Sequence, residues 1–177
     1  MDLFRTIVFV HVSAAVGLCI SLSIEWLILR GLRRATTYEQ AREWMQLWPL
    51  LGRIGGLAAL TALGSGVYLA KSLGAFRASW VAVAVPTLVA IAILGGTTAP
   101  SRKRIAAALG AHGGALPDAV TRQLRQTGWL AASWRMRAAL LGGLLFEMTA
   151  KPDAGLLAMG IIALVAPAWG LARRSTV

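Results

Sequence analysis

The sequence predicts an all-α, multi-pass membrane bundle with five transmembrane helices, an interfacial amphipathic helix and a cytoplasmic helical hairpin. Hydrophobic residues make up 57 % of the 177 residues and charged residues only 14 %, whereas soluble domains carry about 45–50 % apolar and about 25 % charged residues. Several apolar stretches are long enough to cross a hydrocarbon core of about 30 Å. Basic residues cluster at the ends of these stretches. This composition excludes an ordinary soluble domain, a disordered chain and a collagen-like fibre.

The first span is predicted over residues 3–29. It is too long for a signal peptide, and no small-residue cleavage site precedes a soluble domain. An amphipathic helix should follow, because Thr36 and Glu39 have capping-box spacing and apolar residues then recur at i, i+3, i+4 and i+7, with Trp44 and Trp48 among them. This pattern favours an interfacial helix; a loop helix packed on the bundle is the alternative. Pro49 should mark a bend into the next span.

The second span is predicted over residues 50–70 and the third over residues 80–98. Small residues in the second span allow close helix approach in lipid. They form a pair, Gly52 and Gly56, and a column, Ala58, Ala62, Gly66 and Ala70. The face with Ala58, Ala62 and Gly66 should therefore be buried against another helix.

The longest polar stretch, residues 99–128, is predicted to form the helical hairpin. Ser101 would cap a basic helix over residues 102–111, and His112-Gly113-Gly114 would end it. Pro117 and Asp118 would start the second helix. The fourth and fifth spans are predicted over residues 134–150 and 154–171, so that residues 1–177 form a single membrane domain.

The distribution of positive charge predicts the orientation of the bundle. With the N-terminus outside, fourteen of the 18 basic residues lie on the inner side and four, Arg5, Lys71, Arg77 and Lys151, on the outer side. The positive-inside rule therefore predicts an outer N-terminus and a cytoplasmic C-terminus. The same clustering at span ends argues against nucleic-acid binding, despite the net charge of +11.

Two stretches resemble a known family. One is His11 followed by small residues through Gly17-Leu18; the other runs from Arg135-Met136-Arg137 through Glu147 to Lys151-Pro152. Together they are similar to an uncharacterised family of small bacterial integral-membrane proteins and, more distantly, to the copper-resistance D type. The resemblance implies a bacterial inner-membrane location and no established activity. Glu147 departs from the apolar residue that is common at that position in the family.

No catalytic motif is readable: the sequence has no phosphate-binding glycine loop, no HExxH, no nucleophile elbow and no CxxC. Its single cysteine, Cys19, forms neither an intrachain disulfide nor a thiolate zinc site. Ionisable residues within spans are functional candidates by default, and three are present: His11, Glu25 and Glu147.

His11 has two interpretations, a neutral imidazole hydrogen-bonded to another helix or an axial ligand to a haem or chlorin, since small neighbours leave room for a flat macrocycle. A proton relay or a substrate contact is also left open. Glu147 lies at a similar depth and four residues before Lys151, with which it could pair. Alternatively, His11, Glu147 and Tyr68 form a polar cluster on the outer side.

Glu25 is predicted to form a structural ion pair near the inner boundary, with Arg30 and Arg53 as its expected partners. These observations favour a non-enzymatic accessory or scaffolding subunit of a larger inner-membrane assembly, whose partners are the lipid bilayer and other membrane proteins. The alternative is a haem- or chlorin-binding redox protein with His11 as ligand. A small transporter is the third hypothesis, although no paired helix breaks of the inverted-repeat kind are visible.

Overall fold

The computed structural model describes residues 2–110, 112–125 and 128–150, and these residues form an all-helical structure. Their helices are α1 (Leu3–Arg34), α2 (Tyr38–Ser72), a short 3-10 helix (Ala75–Arg77), α3 (Ser79–Gly96), α4 (Ala99–Leu109), α5 (Asp118–Arg125) and α6 (Gly128–Ala150). The predicted fifth span, residues 154–171, lies outside the described residues.

Three helical segments in the described part of the chain are long and apolar enough to cross a membrane: Leu3–Arg34, Tyr38–Ser72 and Ser79–Leu109, the last comprising α3 and α4. Only 17–22 % of the residues in their most apolar windows are buried within the protein. Large apolar side chains such as Phe9, Leu57 and Leu60 point outward and are about 70 % exposed. Apolar helices that leave such side chains uncovered are suited to lipid as their surroundings.

The first three predicted spans coincide with α1, α2 and α3, and the predicted fourth span lies within α6. The helix α6 contains Arg135, Arg137 and Glu147 and is not among the three segments that are suited to membrane crossing. Its helical conformation agrees with the prediction for residues 134–150, although the helix begins six residues earlier, at Gly128.

No helix boundary occurs at Pro49, because α2 runs from Tyr38 to Ser72 with the proline inside it. The interfacial segment and the second span are therefore one helix of 35 residues, about 52 Å long at 1.5 Å per residue. Buried contacts on both sides of the proline, from Trp48 and Leu51, outweigh the local cost of the missing N–H.

The N-terminal cap of α2 lies one residue later than predicted. Thr37, not Thr36, is the capping residue, and its hydroxyl accepts from the backbone amide of Gln40. The side-chain oxygen of Gln40 accepts in return from the amide of Thr36. A reciprocal arrangement of this kind satisfies amides that have no partner within the helix.

Small residues bring α1 and α2 into close contact, as the column in the second span predicted. Ala58, Ala62 and Ala70 are buried, and a Cβ placed on Gly17 of α1 would lie 3.2 Å from the Cβ of Ala58. One cluster of buried apolar residues joins this interface to α3 and α6, with Leu88, Ile91, Leu140 and Leu141 among its members. This cluster is the centre of the bundle.

A second cluster lies at what we call the basic end, where α1 ends, α2 and α6 begin, and α4 and α5 pack. Its fully buried members include Ile28, Leu32, Leu109, Leu124 and Leu130. Basic residues from these five helices surround it: Arg30, Arg33, Arg34, Arg42, Arg102, Lys103, Arg104, Arg122, Arg125, Arg135 and Arg137. Residues that the charge distribution assigned to one side of the membrane thus share one end of the bundle.

The connection between α4 and α5 folds back onto the turn between α1 and α2. Its backbone forms hydrogen bonds from Leu116 N to Thr36 O (2.9 Å) and from Tyr38 N to Gly114 O (3.0 Å). Gly110 and Gly114 have φ values of 40° and 87°, which favour glycine because it lacks a Cβ. The predicted helices on either side are present, but α4 begins at Ala99, before the predicted cap at Ser101.

Candidate functional site

A buried ion pair joins α1 and α6 at the basic end. The Arg137 guanidinium donates from Nη1 to Glu25 Oε2 (2.8 Å) and from Nη2 to Glu25 Oε1 (2.5 Å). Glu25 is 4 % exposed and Arg137 is 8 % exposed. The bidentate geometry is that in which a planar guanidinium matches a carboxylate.

The ion pair that the structure contains is not the predicted one. The side chain of Arg30 lies over the Trp26 ring, 5.1 Å from its centroid, and Arg53 is exposed. Glu25 lies on the buried side of α1, where α6 rather than α2 supplies the cation. The position of Glu25 near the predicted inner boundary indicated that its carboxylate needs a cationic partner. It did not indicate which helix supplies that partner.

A second guanidinium, that of Arg102 on α4, lies within electrostatic range of both Glu25 and Arg137. It stacks over the ring of the buried Trp48, 5.6 Å from the centroid. Both carboxylate oxygens of Glu25 are already taken by Arg137. The described part of the chain therefore places two guanidinium groups around one carboxylate.

Arg102 also lines the larger of two pockets at the basic end. This pocket, of about 470 Å³, lies between the first part of α2 and α4. Its cations are Arg42, Arg102 and Lys103, and the remaining lining is mostly apolar. We refer to it as the α2–α4 pocket.

The smaller pocket, of about 300 Å³, lies between the end of α1 and the start of α6. Two indole rings, those of Trp26 and Trp134, line it together with four arginines: Arg30, Arg33, Arg34 and Arg135. The Trp134 ring nitrogen donates to the carbonyl oxygen of Leu22 (2.8 Å), which fixes the indole against α1. The basic end therefore presents cationic concavities on two sides.

The His11 ring is tied to α2. Its Nδ1 lies 3.1 Å from the carbonyl oxygen of Ala62 and 3.0 Å from Ser65 Oγ. In the tautomer in which Nδ1 donates to the Ala62 carbonyl oxygen, Nε2 is the acceptor nitrogen. The contact is the interhelical hydrogen bond that one interpretation of His11 predicted. In that tautomer Nε2 is also the nitrogen through which the ring would ligate a metal in the other interpretation.

Glu147 is buried without a hydrogen-bond partner among the described residues. Its exposure is 0 %, and neither carboxyl oxygen has a partner there. An unpaired buried carboxylate is costly, and more so in lipid. Lys151, its predicted partner, lies outside the described residues.

No hydrogen bond among the described residues links His11, Glu147 and Tyr68, the three members of the predicted polar cluster. His11 faces Ala62 and Ser65 of α2, Glu147 has no partner in the described chain, and Tyr68 is 38 % exposed. Equal depth in the membrane does not place side chains on facing surfaces of their helices. No group of three or more His, Cys, Asp or Glu side chains in residues 2–110, 112–125 and 128–150 could hold a metal ion.

Sequence reasoning missed the Glu25–Arg137 pair and the α2–α4 pocket. The sequence did hold one indication of the pair: Arg137 follows Arg135 by two residues and therefore points to a different side of the same helix. The pocket had no comparable signal, because it forms only when Arg42 and Arg102 are brought together across 60 residues of sequence.

No protein-family model, curated protein or solved structure matches the chain. The resemblance to the bacterial integral-membrane family, and to the copper-resistance D type, therefore stays a prediction.

Proposed function

We propose that the protein is an accessory or scaffolding subunit of a bacterial inner-membrane assembly and has no catalytic chemistry of its own. One observation carries the proposal: some glycines of α2 are packed against α1, whereas others, on a different side of the helix, meet no neighbour among the described residues. Gly55 and Gly66 face Ser21 and His11 of α1. A Cβ built on Gly52 or Gly56 meets nothing within 4 Å in residues 2–110, 112–125 and 128–150.

The open face of α2 has the character of a helix-docking surface in lipid. Gly52, Gly56, Leu60 and Gly64 recur at intervals of four residues, and Gly64 also meets nothing within 4 Å. Exposed Leu60 adds a large apolar side chain to this column. Small residues at such spacing let a second backbone approach closely, and van der Waals packing then drives association.

In the proposed arrangement the chain has five spans, with residues 134–150 and 154–171 as the fourth and fifth. The N-terminus is outside, and the C-terminus and the α4–α5 hairpin are cytoplasmic. The assembly of basic residues at one end of the bundle supports this orientation, because cytoplasmic ends of spans carry excess Lys and Arg. The partner is a membrane protein that presents a helix to the open face of α2.

The experiment compares Gly56→Leu with Gly142→Leu, a matched change at an exposed position of α6 where a Cβ also meets no described atom within 4 Å. Native membranes are solubilised in mild detergent, and the wild-type chain is expected to migrate with a second membrane protein identified by mass spectrometry. Gly56→Leu should release that protein, whereas Gly142→Leu should retain it. Migration of the wild type alone, or only with copies of itself, would contradict the accessory role.

A further inference from the structure

The α2–α4 pocket combines a mostly apolar lining with three basic side chains. Arg42 and the buried Trp48 come from α2, and Arg102, Lys103 and Leu109 come from α4. None of the residues that line it is acidic. An occupant that suits both kinds of lining is an anionic amphiphile rather than a neutral apolar molecule or a small ion.

The charges of the pocket are only partly neutralised by neighbouring groups. Arg42 lies 3.7 Å from Glu39 and also donates to the carbonyl oxygen of Gly110 (3.4 Å). Arg102 and Lys103 have no ion pair within 4 Å among the described residues, since the nearby carboxylate of Glu25 is held by Arg137. A phosphate group offers the acceptor oxygens that these cations lack.

The position of the pocket favours a lipid, rather than free phosphate, as the source of that phosphate group. It lies at the basic end, and its lining from α2 is largely apolar, with Met45, Trp48 and Pro49. A phosphate held at Arg102 and Lys103 therefore has an apolar helix surface next to it for acyl chains. Basic pockets between membrane helices on the cytoplasmic side bind anionic lipid headgroups.

We propose that the α2–α4 pocket binds an anionic phospholipid, with its phosphate held by Arg102 and Lys103 and its chains along α2. The binding depends on the membrane location of the chain but not on its accessory role. Its failure would leave the docking face of α2 untouched, and release of the partner protein by Gly56→Leu would not affect lipid binding.

The test uses the full chain in a neutral detergent, titrated with phosphatidylglycerol or phosphatidylcholine, and lipid binding is read by native mass spectrometry. We expect a strong preference for phosphatidylglycerol. The double variant R102Q/K103Q should bind it about thirtyfold more weakly, from about 1 kcal/mol for each basic residue. Arg104→Gln is the matched control, because Arg104 is exposed on the same helix and does not line the pocket; it should bind within about twofold of wild type.

Since Arg102 also packs on Trp48, Lys103→Gln alone provides a variant that changes only an exposed side chain. It should weaken phosphatidylglycerol binding about fivefold. Equal binding of the two lipids, or equal binding by R102Q/K103Q and Arg104→Gln, would overturn the proposal. Competition by inorganic phosphate at the same concentration as the lipid would also overturn it, because the site would then recognise a free anion.

Discussion

His11 and Gly66 face each other across the interface of α1 and α2, so closely that a Cβ on Gly66 would lie 3.1 Å from His11 Cε1. The imidazole occupies the space that the missing side chain leaves, and from there its Nδ1 reaches Ala62 and Ser65. Glycine at this position and histidine opposite are therefore parts of one contact.

Gly66→Leu should disrupt this contact, because a leucine side chain has to displace the imidazole or separate the helices. We expect a loss of about 1–3 kcal/mol in the free energy of unfolding, which is typical of overpacking. Unfolding in mixed micelles followed by circular dichroism measures it. Gly64→Leu, on the open face of the same helix, is the control; equal stability of both variants would contradict the close approach.

His11→Gln separates the two interpretations of the histidine. An amide can replace one imidazole hydrogen bond, and interhelical bonds in membranes average about 0.6 kcal/mol, so the loss of stability should be small. If Nε2 ligates a haem or chlorin, the substitution should strip or shift the pigment, because an amide is a poor axial ligand. Absorption spectra of the gently purified proteins measure this, and a colourless wild type would remove the cofactor hypothesis.

Single substitutions in the buried ion pair should be far more damaging than their combination. Glu25→Gln leaves the Arg137 guanidinium buried without its carboxylate, and we expect a loss of about 3–5 kcal/mol in unfolding free energy. The double variant E25Q/R137Q removes both charges and should recover most of that loss. A double-mutant cycle in mixed micelles measures the coupling, and strictly additive effects would show that the two residues act independently.

Glu147→Gln should stabilise the protein. The amide preserves the size of the side chain and removes a charge that has no partner among the described residues, so unfolding free energy at neutral pH should rise by about 1–3 kcal/mol. Glu147→Ala, which removes the charge but leaves a cavity, should gain less. A destabilised Glu147→Gln would instead show that the carboxylate has a cationic partner, with Lys151 as the candidate.

Reporter fusions test the orientation. A reporter fused after Arg174 should lie in the cytoplasm, and one fused at Gly74 should lie outside. The reason is that basic residues concentrate on the side opposite Gly74. Alkaline phosphatase and a fluorescent protein, which are active on opposite sides of the membrane, provide matched readouts at both positions. The reverse pattern would contradict the five-span arrangement.

The sequence predicted the helices that are long and strongly apolar, because composition alone specifies them: α1, α2 and α3 all lie where hydropathy placed the first three spans. It divided α2 into an interfacial helix and a span at Pro49, because the local preference of proline was weighed without the packing of Trp48 and Leu51. It named Glu25 as one half of an ion pair but chose Arg30 and Arg53 as partners. The choice of partner depends on how helices are arranged around each other, and periodicity within one helix does not carry that information.

The Glu25–Arg137 pair also has a consequence for biogenesis. The two residues are 112 positions apart in the chain, and a ribosome adding about 5–20 residues per second needs roughly 6–22 s to make the intervening segment. During that interval α1 and α2 can already lie together in the membrane, with Glu25 exposed to its surroundings as an acid without its cation. The Glu25 carboxylate therefore gains the guanidinium that neutralises it only after α6 has been synthesised, so that α1 reaches its final electrostatic environment late in translation.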